Sequence, residues 1–249
     1  MIGAGHSQRI VKTGATAVEC HFYRAIAPKL VEHGVATPAV FDYDPEAARL
    51  TLEYLPGAIA WPADRDAMVE RLARLHEAPF YPGPRHEFAW PAETAAQGSR
   101  VFGLDRRDTR RVQRLREAAG ALFEPRATIC GDSNPGNWAC RSDGSLVQFD
   151  WARFGRGHPA IDLAPLAGGL PSRSAATALA ASYVAARAQT TLQTPRLAVL
   201  IRIGAAWLLM EVIMRLADTA HPMFERYRSG YGQQLPGWLT NVDAELDAW

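Results

Sequence analysis

Residues 130–137 read Cys-Gly-Asp-Ser-Asn-Pro-Gly-Asn, and Phe149-Asp150-Trp151 follows after a short interval. This order places an acid at 132, an amide at 137 and a second acid at 150. Phosphoryl transfer needs a carboxylate to accept the proton of the attacking hydroxyl and oxygen ligands to hold Mg²⁺ against the phosphates. Asp132 suits the first role. Asn137 and Asp150 suit the second, because Mg²⁺ prefers hard oxygen ligands.

The residues around these positions predict a tight loop followed by a hairpin. Gly131 and Gly136 allow the backbone to turn so that the acid and the amide can face one point. The stretch that follows predicts a β-hairpin formed by Trp138–Arg141, the turn Ser142-Asp143-Gly144 and Leu146–Phe149.

With these residues, the sequence resembles the aminoglycoside phosphotransferase and choline kinase-like family of small-molecule kinases. The stretch 131–137 resembles that family's catalytic loop, and 149–151 resembles its metal-binding Ile-Asp-Trp. The resemblance implies an α+β, bilobal protein-kinase-like fold. It places a reduced N-terminal nucleotide-binding lobe at 1–56 and a larger, mainly helical catalytic and substrate-binding lobe at 57–249.

Shorter matches extend the resemblance toward the N-terminus. Lys12 resembles the lysine that grips the α- and β-phosphates, and Glu19 on the next helix would be its ion-pair partner. Glu53 and Leu55 fall in a stretch that resembles the hinge to which adenine binds. Lys12 is one of only two lysines in the chain. Two alternatives remain open at this point: a solvated lysine at a strand end, and a glutamate on an exposed helix face.

Two departures from the family pattern motivate an alternative function. Cys130 stands where the family has a histidine, and only eleven residues precede Lys12. We therefore expect a reduced N-terminal lobe, in which Gly3–Ser7 is the candidate remnant of a glycine-rich loop. The alternative is a pseudokinase that binds a ligand or a partner without turnover.

The resemblance implies ATP or GTP as co-substrate, Mg²⁺ as cofactor, and transfer to a hydroxyl of a small aminoglycoside-, choline- or sugar-like molecule. In this family the acceptor lies against the C-terminal helices. Acidic side chains there, such as Glu211 and Asp218, would favour an amino sugar. Aromatic ones, such as Tyr227 and Trp238, could enclose a quaternary amine. Trp207 is predicted to be ordinary helix packing.

Composition excludes other classes of protein. Twenty-seven basic and 26 acidic residues give a formal charge of +1, which offers no basic excess for nucleic-acid binding. Three irregularly spaced cysteines favour neither a disulfide framework nor a zinc site, and they predict a reducing, cytoplasmic setting. The most apolar stretch, 197–216, contains Arg202 and Glu211, so it predicts a buried helix rather than a membrane span.

Apolar periodicity and turn residues predict the remaining elements. Val18, Phe22, Ile26 and Leu30 recur every four residues, which predicts a helix from Thr16 to about Val31. The segment Pro79–Gly103 is predicted to be a loop. The other predicted strands and helices are Gln8–Val11, Ala39–Tyr43, Arg49–Tyr54, Asp64–His76, Asp105–Phe123, Ser172–Arg187, Pro195–Asp218 and Asn241–Ala248.

Overall fold

The computed structural model describes residues 8–188 and 191–247, which divide into two compact units. The first unit holds the described residues up to Glu87 together with Arg126–Arg156. The second holds Phe88–Pro125 and the described residues from Gly157 onward. The lobes predicted at 1–56 and 57–249 are defined by function, whereas these two units are defined by compactness. The division into lobes therefore stays a prediction. The candidate loop Gly3–Ser7 lies outside the described residues.

The first unit combines short strands with helices. Its strands are β1 (Arg9–Thr13), β2 (Val40–Asp44), β3 (Arg49–Glu53), β4 (Ala127–Ile129), β5 (Trp138–Cys140), β6 (Leu146–Gln148) and β7 (Gly155–Gly157), the last ending at the unit border. Its helical segments are α1 (Ala17–His21), a π-helical turn (Phe22–Ile26), α2 (Ala27–Glu32) and α3 (Arg65–Glu77). The β5–β6 pair is the predicted hairpin, and its strands are antiparallel.

The N-terminal sheet has the order β1–β3–β2, and both of its pairings are antiparallel. On β3, Leu50 and Leu52 are buried while the residues between and before them are partly exposed. Lys12 on β1 lies directly opposite Leu50. Because directly opposed residues in an antiparallel pair share one face of the sheet, the Lys12 side chain points to the buried face.

The predicted helix after Thr16 is confirmed, with an interruption. The hydroxyl of Thr16 accepts a hydrogen bond from the Glu19 N–H at 3.1 Å and so caps the first turn. Phe22, Ile26 and Leu30 are buried, as their spacing predicts. The π-helical turn lies just before Pro28. Proline has no N–H to donate to the preceding turn, which accounts for the local change in helical pitch.

The second unit is helical. Its helices are α4 (Ala92–Val101), α5 (Arg106–Ala118), α6 (Gly120–Phe123), α7 (Ala160–Leu163), α8 (Arg173–Ala186), α9 (Thr194–Asp218), α10 (Phe224–Gly232) and α11 (Leu235–Leu246). In the described part of the chain, α9 alone is long and apolar enough to cross a membrane, and 72% of its most apolar window is buried inside the protein. Trp207 is 2% exposed, so α9 is a core helix and the packing role predicted for Trp207 is confirmed.

Two sequence predictions about helices are wrong, and one helix was missed. The predicted loop Pro79–Gly103 contains α4, whose alanine-rich turns favour helix although Pro91 stands directly before it. α10 was not predicted. The last helix begins at Leu235 instead of Asn241, because Pro236 and Gly237 obscure its apolar pattern although proline is tolerated in a first helical turn.

Candidate active site

Lys12 connects two carboxylates in the first unit. Its Nζ lies 2.7 Å from Glu19 Oε1 and 2.9 Å from Asp150 Oδ1. The Glu19 side chain is only 1% exposed, so the alternative of an exposed helix face is wrong. Lys12 is part-buried and ion-paired, so it is not merely a solvated lysine at a strand end. Three of the predicted site residues therefore lie together, although 138 positions separate two of them.

The two carboxylates determine the charge of Lys12. Burial lowers its pKa, but the hydrogen bonds to Glu19 and Asp150 outweigh burial, and the pKa lies above its ordinary value. Burial also raises the pKa of Glu19, and the hydrogen bond from Lys12 offsets this only in part. Lys12 thus remains a cationic hydrogen-bond donor at neutral pH, as binding of a phosphate requires.

Asp150 has an uncommon backbone conformation that its neighbours hold in place. Its φ is +60°, a value that aspartate tolerates better than most residues. On one side, the Phe149 N–H donates to the Asn137 carbonyl at 2.9 Å. On the other side, the Trp151 ring stacks on Phe22, with centroids 4.1 Å apart and planes 10° from parallel. These contacts fix Asp150 beside the residue predicted to share its metal.

Hydrogen bonds inside the loop hold Asp132 and Asn137. The Asn134 Nδ2 donates to Asp132 Oδ1 at 2.7 Å, while Asn134 Oδ1 accepts from the Gly136 N–H at 2.8 Å. The Asn137 Nδ2 donates to the Asp132 carbonyl at 3.0 Å, which directs its Oδ1 away from that carbonyl. The positioning role of Asn134 was not predicted. An asparagine that leads into Pro-Gly is the sequence signal of the side-chain turn it forms.

Cys130 takes the place of the family's histidine and has a partner of its own. The thiol is buried, and its Sγ accepts a hydrogen bond from Gln148 Nε2 at 2.7 Å. Cys130 directly follows β4, and Gln148 ends β6 two residues before Asp150. The bond therefore connects the start of the catalytic loop to the segment that carries the second acid. No spacing rule in the sequence indicates this pair.

A cavity of about 390 Å³ adjoins the Lys12 cluster. Its wall includes Lys12, Glu19, Asp150, Glu53 and Leu55, and much of the remaining lining is apolar. Binding pockets for small molecules commonly combine apolar walls with a few polar groups. The cavity thus brings together all the residues predicted to contact the nucleotide.

The carboxylate of Glu53 is already occupied by protein groups. It accepts hydrogen bonds from Arg141 at 2.7 and 2.8 Å and from the Ala39 N–H at 3.0 Å. Arg141 also donates to the Thr37 carbonyl at 2.9 Å. The hydrogen bond from Arg141 holds the pKa of Glu53 below its ordinary value. This side chain therefore ties β3 to the hairpin. A nucleotide contact through the backbone near Glu53 and Leu55 stays a prediction.

Replacing Arg141 by glutamine should make the free energy of unfolding depend less on pH. The folded-state pKa of Glu53 lies below its ordinary value of about 4.5, so the ion pair stabilises the native state fully at pH values above 4.5. This contribution is lost as the pH falls through the folded-state pKa. We expect the R141Q variant to lose about 1–2 kcal/mol at pH 7 and less near pH 3. Urea denaturation at both pH values measures this. An equal loss at both would contradict the ion pair.

The donor groups near Asp150 fit Mg²⁺. The carboxylate of Asp150 and the amide oxygen of Asn137 are hard oxygen ligands. Among the residues that the structure describes, no three or more His, Cys, Asp or Glu side chains form a metal-binding group. Asp150 and Asn137 would be the protein groups that hold the ion, and one or two protein ligands are usual for Mg²⁺ in nucleotide sites.

Solved structures with a similar fold span nearly the whole chain. A choline/ethanolamine kinase family protein from Mesorhizobium loti has a TM-score of 0.65 and 17% identity, covering 95% of this chain and 85% of its own. LicA in complex with AMP has a TM-score of 0.64 and 18% identity, covering 96% and 86%. An aminoglycoside phosphotransferase from Alicyclobacillus acidocaldarius has a TM-score of 0.63 and 14% identity, covering 97% and 87%. The predicted α+β, protein-kinase-like fold is confirmed.

The sequence itself matches a family model. No curated protein matches the chain significantly. The model of the phosphotransferase enzyme family, however, matches residues 6–222. The match includes the loop of Asp132, the second acid Asp150 and the Lys12 cluster. The chain therefore belongs to the phosphotransferase enzyme family.

Proposed function

We propose that this protein is an ATP- or GTP-dependent kinase that transfers the γ-phosphate to a hydroxyl of a small molecule. The observation that carries the proposal is the position of Lys12, held between Glu19 and Asp150 at the wall of the cavity. Crystal structures of two proteins of similar fold, LicA and a spectinomycin phosphotransferase, contain AMP. They support a nucleotide as the occupant of the cavity here.

In the proposed reaction, the acceptor oxygen forms a bond to the γ-phosphorus while the bond from that phosphorus to the bridging oxygen of the leaving nucleoside diphosphate breaks. Asp132 orients the acceptor hydroxyl and takes its proton. Asn134 holds the Asp132 carboxylate, and Lys12 binds the α- and β-phosphates. Mg²⁺ bound through Asn137 and Asp150 would neutralise phosphate charge.

The alternative of a pseudokinase rests on Cys130 and on the short stretch before Lys12. The bond from Gln148 to the Cys130 thiol argues against it, because the loop has a brace at the position of the absent histidine. Asp132 and Asn137 are likewise held in the loop by hydrogen bonds. We therefore prefer the active enzyme, and we place it in the cytoplasm because all three cysteines are free thiols.

Binding of Mg²⁺-ATP should raise the melting temperature, and replacing Lys12 by methionine should remove at least about half of that rise. A ligand at about 100 times its Kd stabilises the native state by about 2.7 kcal/mol. Loss of a charge-assisted bond to phosphate should weaken binding by about tenfold or more. The nucleotide-induced shift is compared, rather than the melting temperature itself, because K12M also removes the partner of buried Glu19.

Lys29 provides the matched control. It is the other lysine of the chain, it is exposed, and its Nζ lies 5.5 Å from the centre of the Tyr81 ring. The K29M variant should keep the full nucleotide-induced shift. The absence of a shift in the unmodified protein at millimolar Mg²⁺-ATP and Mg²⁺-GTP would contradict the proposed kinase.

A further inference from the structure

The second unit contains a cavity of about 1180 Å³ that includes none of the residues lining the cavity at Lys12, although Trp238, considered above for the acceptor, lies in its wall. Its wall comes from the start of α8, the first part of α9 and most of the length of α11. The lining combines apolar residues with polar ones, among them Gln193, Gln234 and Asn241. An open volume with several polar groups on its wall makes this cavity a candidate binding site.

The charged residues of this cavity are mostly basic. Arg173, Arg196 and Arg202 line it, and Glu245 is the one acid in the described lining. Glu245 is already paired: it forms an ion pair with Arg202, and its Oε1 lies 3.9 Å from Arg173 Nε. The net charge of the wall is therefore positive, and its carboxylate does not present an unpaired negative charge to a ligand.

Arg202 is the unusual member of this set. Its side chain is 2% exposed although it lies on the most apolar helix of the chain. Its Nη1 donates to Glu245, and its guanidinium lies 5.3 Å from the centre of the Trp238 ring. Its Nε has no hydrogen-bond partner among the described residues. That Nε is itself buried, so it offers no donor to a ligand, and Arg202 contributes to the cavity as part of its basic wall.

Two helix N-termini add to the positive potential. Ser172 caps α8, a helix of 14 residues, by accepting from the Ala175 N–H at 3.1 Å, and Arg173 follows it. α9, a helix of 25 residues, begins at Thr194, and both Pro195 and Arg196 line the cavity. Helix N-termini carry partial positive charge and favour anions.

We propose that this cavity binds a small molecule that carries a carboxylate or phosphate group. The buried Arg202, the two arginines near the helix starts and the helix N-termini all favour an anion. A cationic ligand would meet this positive wall with its only acid already paired. This cavity shares no lining residue with the cavity proposed for the nucleotide.

The test is isothermal titration calorimetry of the full chain without nucleotide, with citrate and inorganic phosphate as separate probes. We expect saturable binding of at least one. The double variant R173Q/R196Q should bind it about tenfold or more weakly, because bonds to charged groups carry much of the affinity. Both side chains are exposed, so the fold should be kept. Arg202 stays unchanged, because its loss would leave Glu245 without its closest partner.

The control is R106Q/R110Q, which removes the same charge from exposed positions on α5 outside the cavity. It should bind the probe as the unmodified protein does. Three results would overturn the proposal: no saturable binding of either probe, equal loss in both double variants, or binding of choline in place of the anions. A response to citrate alone or to phosphate alone identifies the acidic group that the cavity prefers.

Discussion

Replacing Asp132 by asparagine should reduce phosphoryl transfer by about 10²- to 10⁴-fold, the usual contribution of a general base. Asparagine preserves the size of the side chain and can keep a hydrogen bond with Asn134, but it cannot take the proton of the acceptor hydroxyl. The binding of Mg²⁺-ATP should change little, because the phosphate-binding groups proposed here lie on other residues. ADP release under single-turnover conditions and calorimetric nucleotide affinity measure the two parts separately.

The control for this substitution is Asp143→Asn. Asp143 lies exposed in the hairpin turn, where its Oδ1 accepts from the Ser145 N–H at 2.9 Å, and an asparagine oxygen can accept the same bond. This variant should retain the activity of the unmodified enzyme. If D132N turned over as fast as D143N, Asp132 would not be the catalytic base.

Replacing Asp150 by asparagine should reduce transfer by more than about 10²-fold and raise the Mg²⁺ concentration needed for the residual activity. Asparagine tolerates the positive φ of this position, so the backbone should be kept. The variant loses the charge that would hold the ion, and metal stabilisation of charge in the transition state is worth several kcal/mol. Titration of activity against Mg²⁺ measures both effects.

An exposed acid on β2 serves as the comparison. Asp42→Asn removes the same charge away from the cavity lining and should leave the Mg²⁺ titration unchanged. An unchanged Mg²⁺ requirement in D150N, at whatever rate, would exclude Asp150 as a metal ligand. The rate and the metal requirement thus test two separate properties of one residue.

The parts of the site that the sequence predicts are those marked by a short motif or by regular spacing of residues. Asp132 and Asn137 lie in one short loop, and the order of the short matches to the family implies the pairing of Glu19 with Lys12. The alternation of β3 then sets the face to which Lys12 points, through its register with Leu50. In each case, residues close in sequence or paired in register carry the information.

The parts that the sequence does not predict depend on long-range packing. Arg141 pairs with Glu53 across 88 positions, and Gln148 reaches Cys130 through a side chain with no regular spacing. Arg202 is visible in the sequence only as a charge inside an apolar helix. Its partner Glu245 lies 43 positions away on α11, a helix whose start was also misplaced. Tertiary packing rather than local propensity determines these contacts.

The two carboxylates around Lys12 also bear on the entropy of nucleotide binding. A free lysine side chain loses up to about 2 kcal/mol of rotamer entropy when it is ordered. Here the ammonium group is already ordered by Glu19 and Asp150, and two of its three N–H groups are used. The third can meet a phosphate oxygen without either ion pair breaking. The proposed nucleotide binding would therefore avoid most of that ordering cost, because the fold already holds the lysine in place.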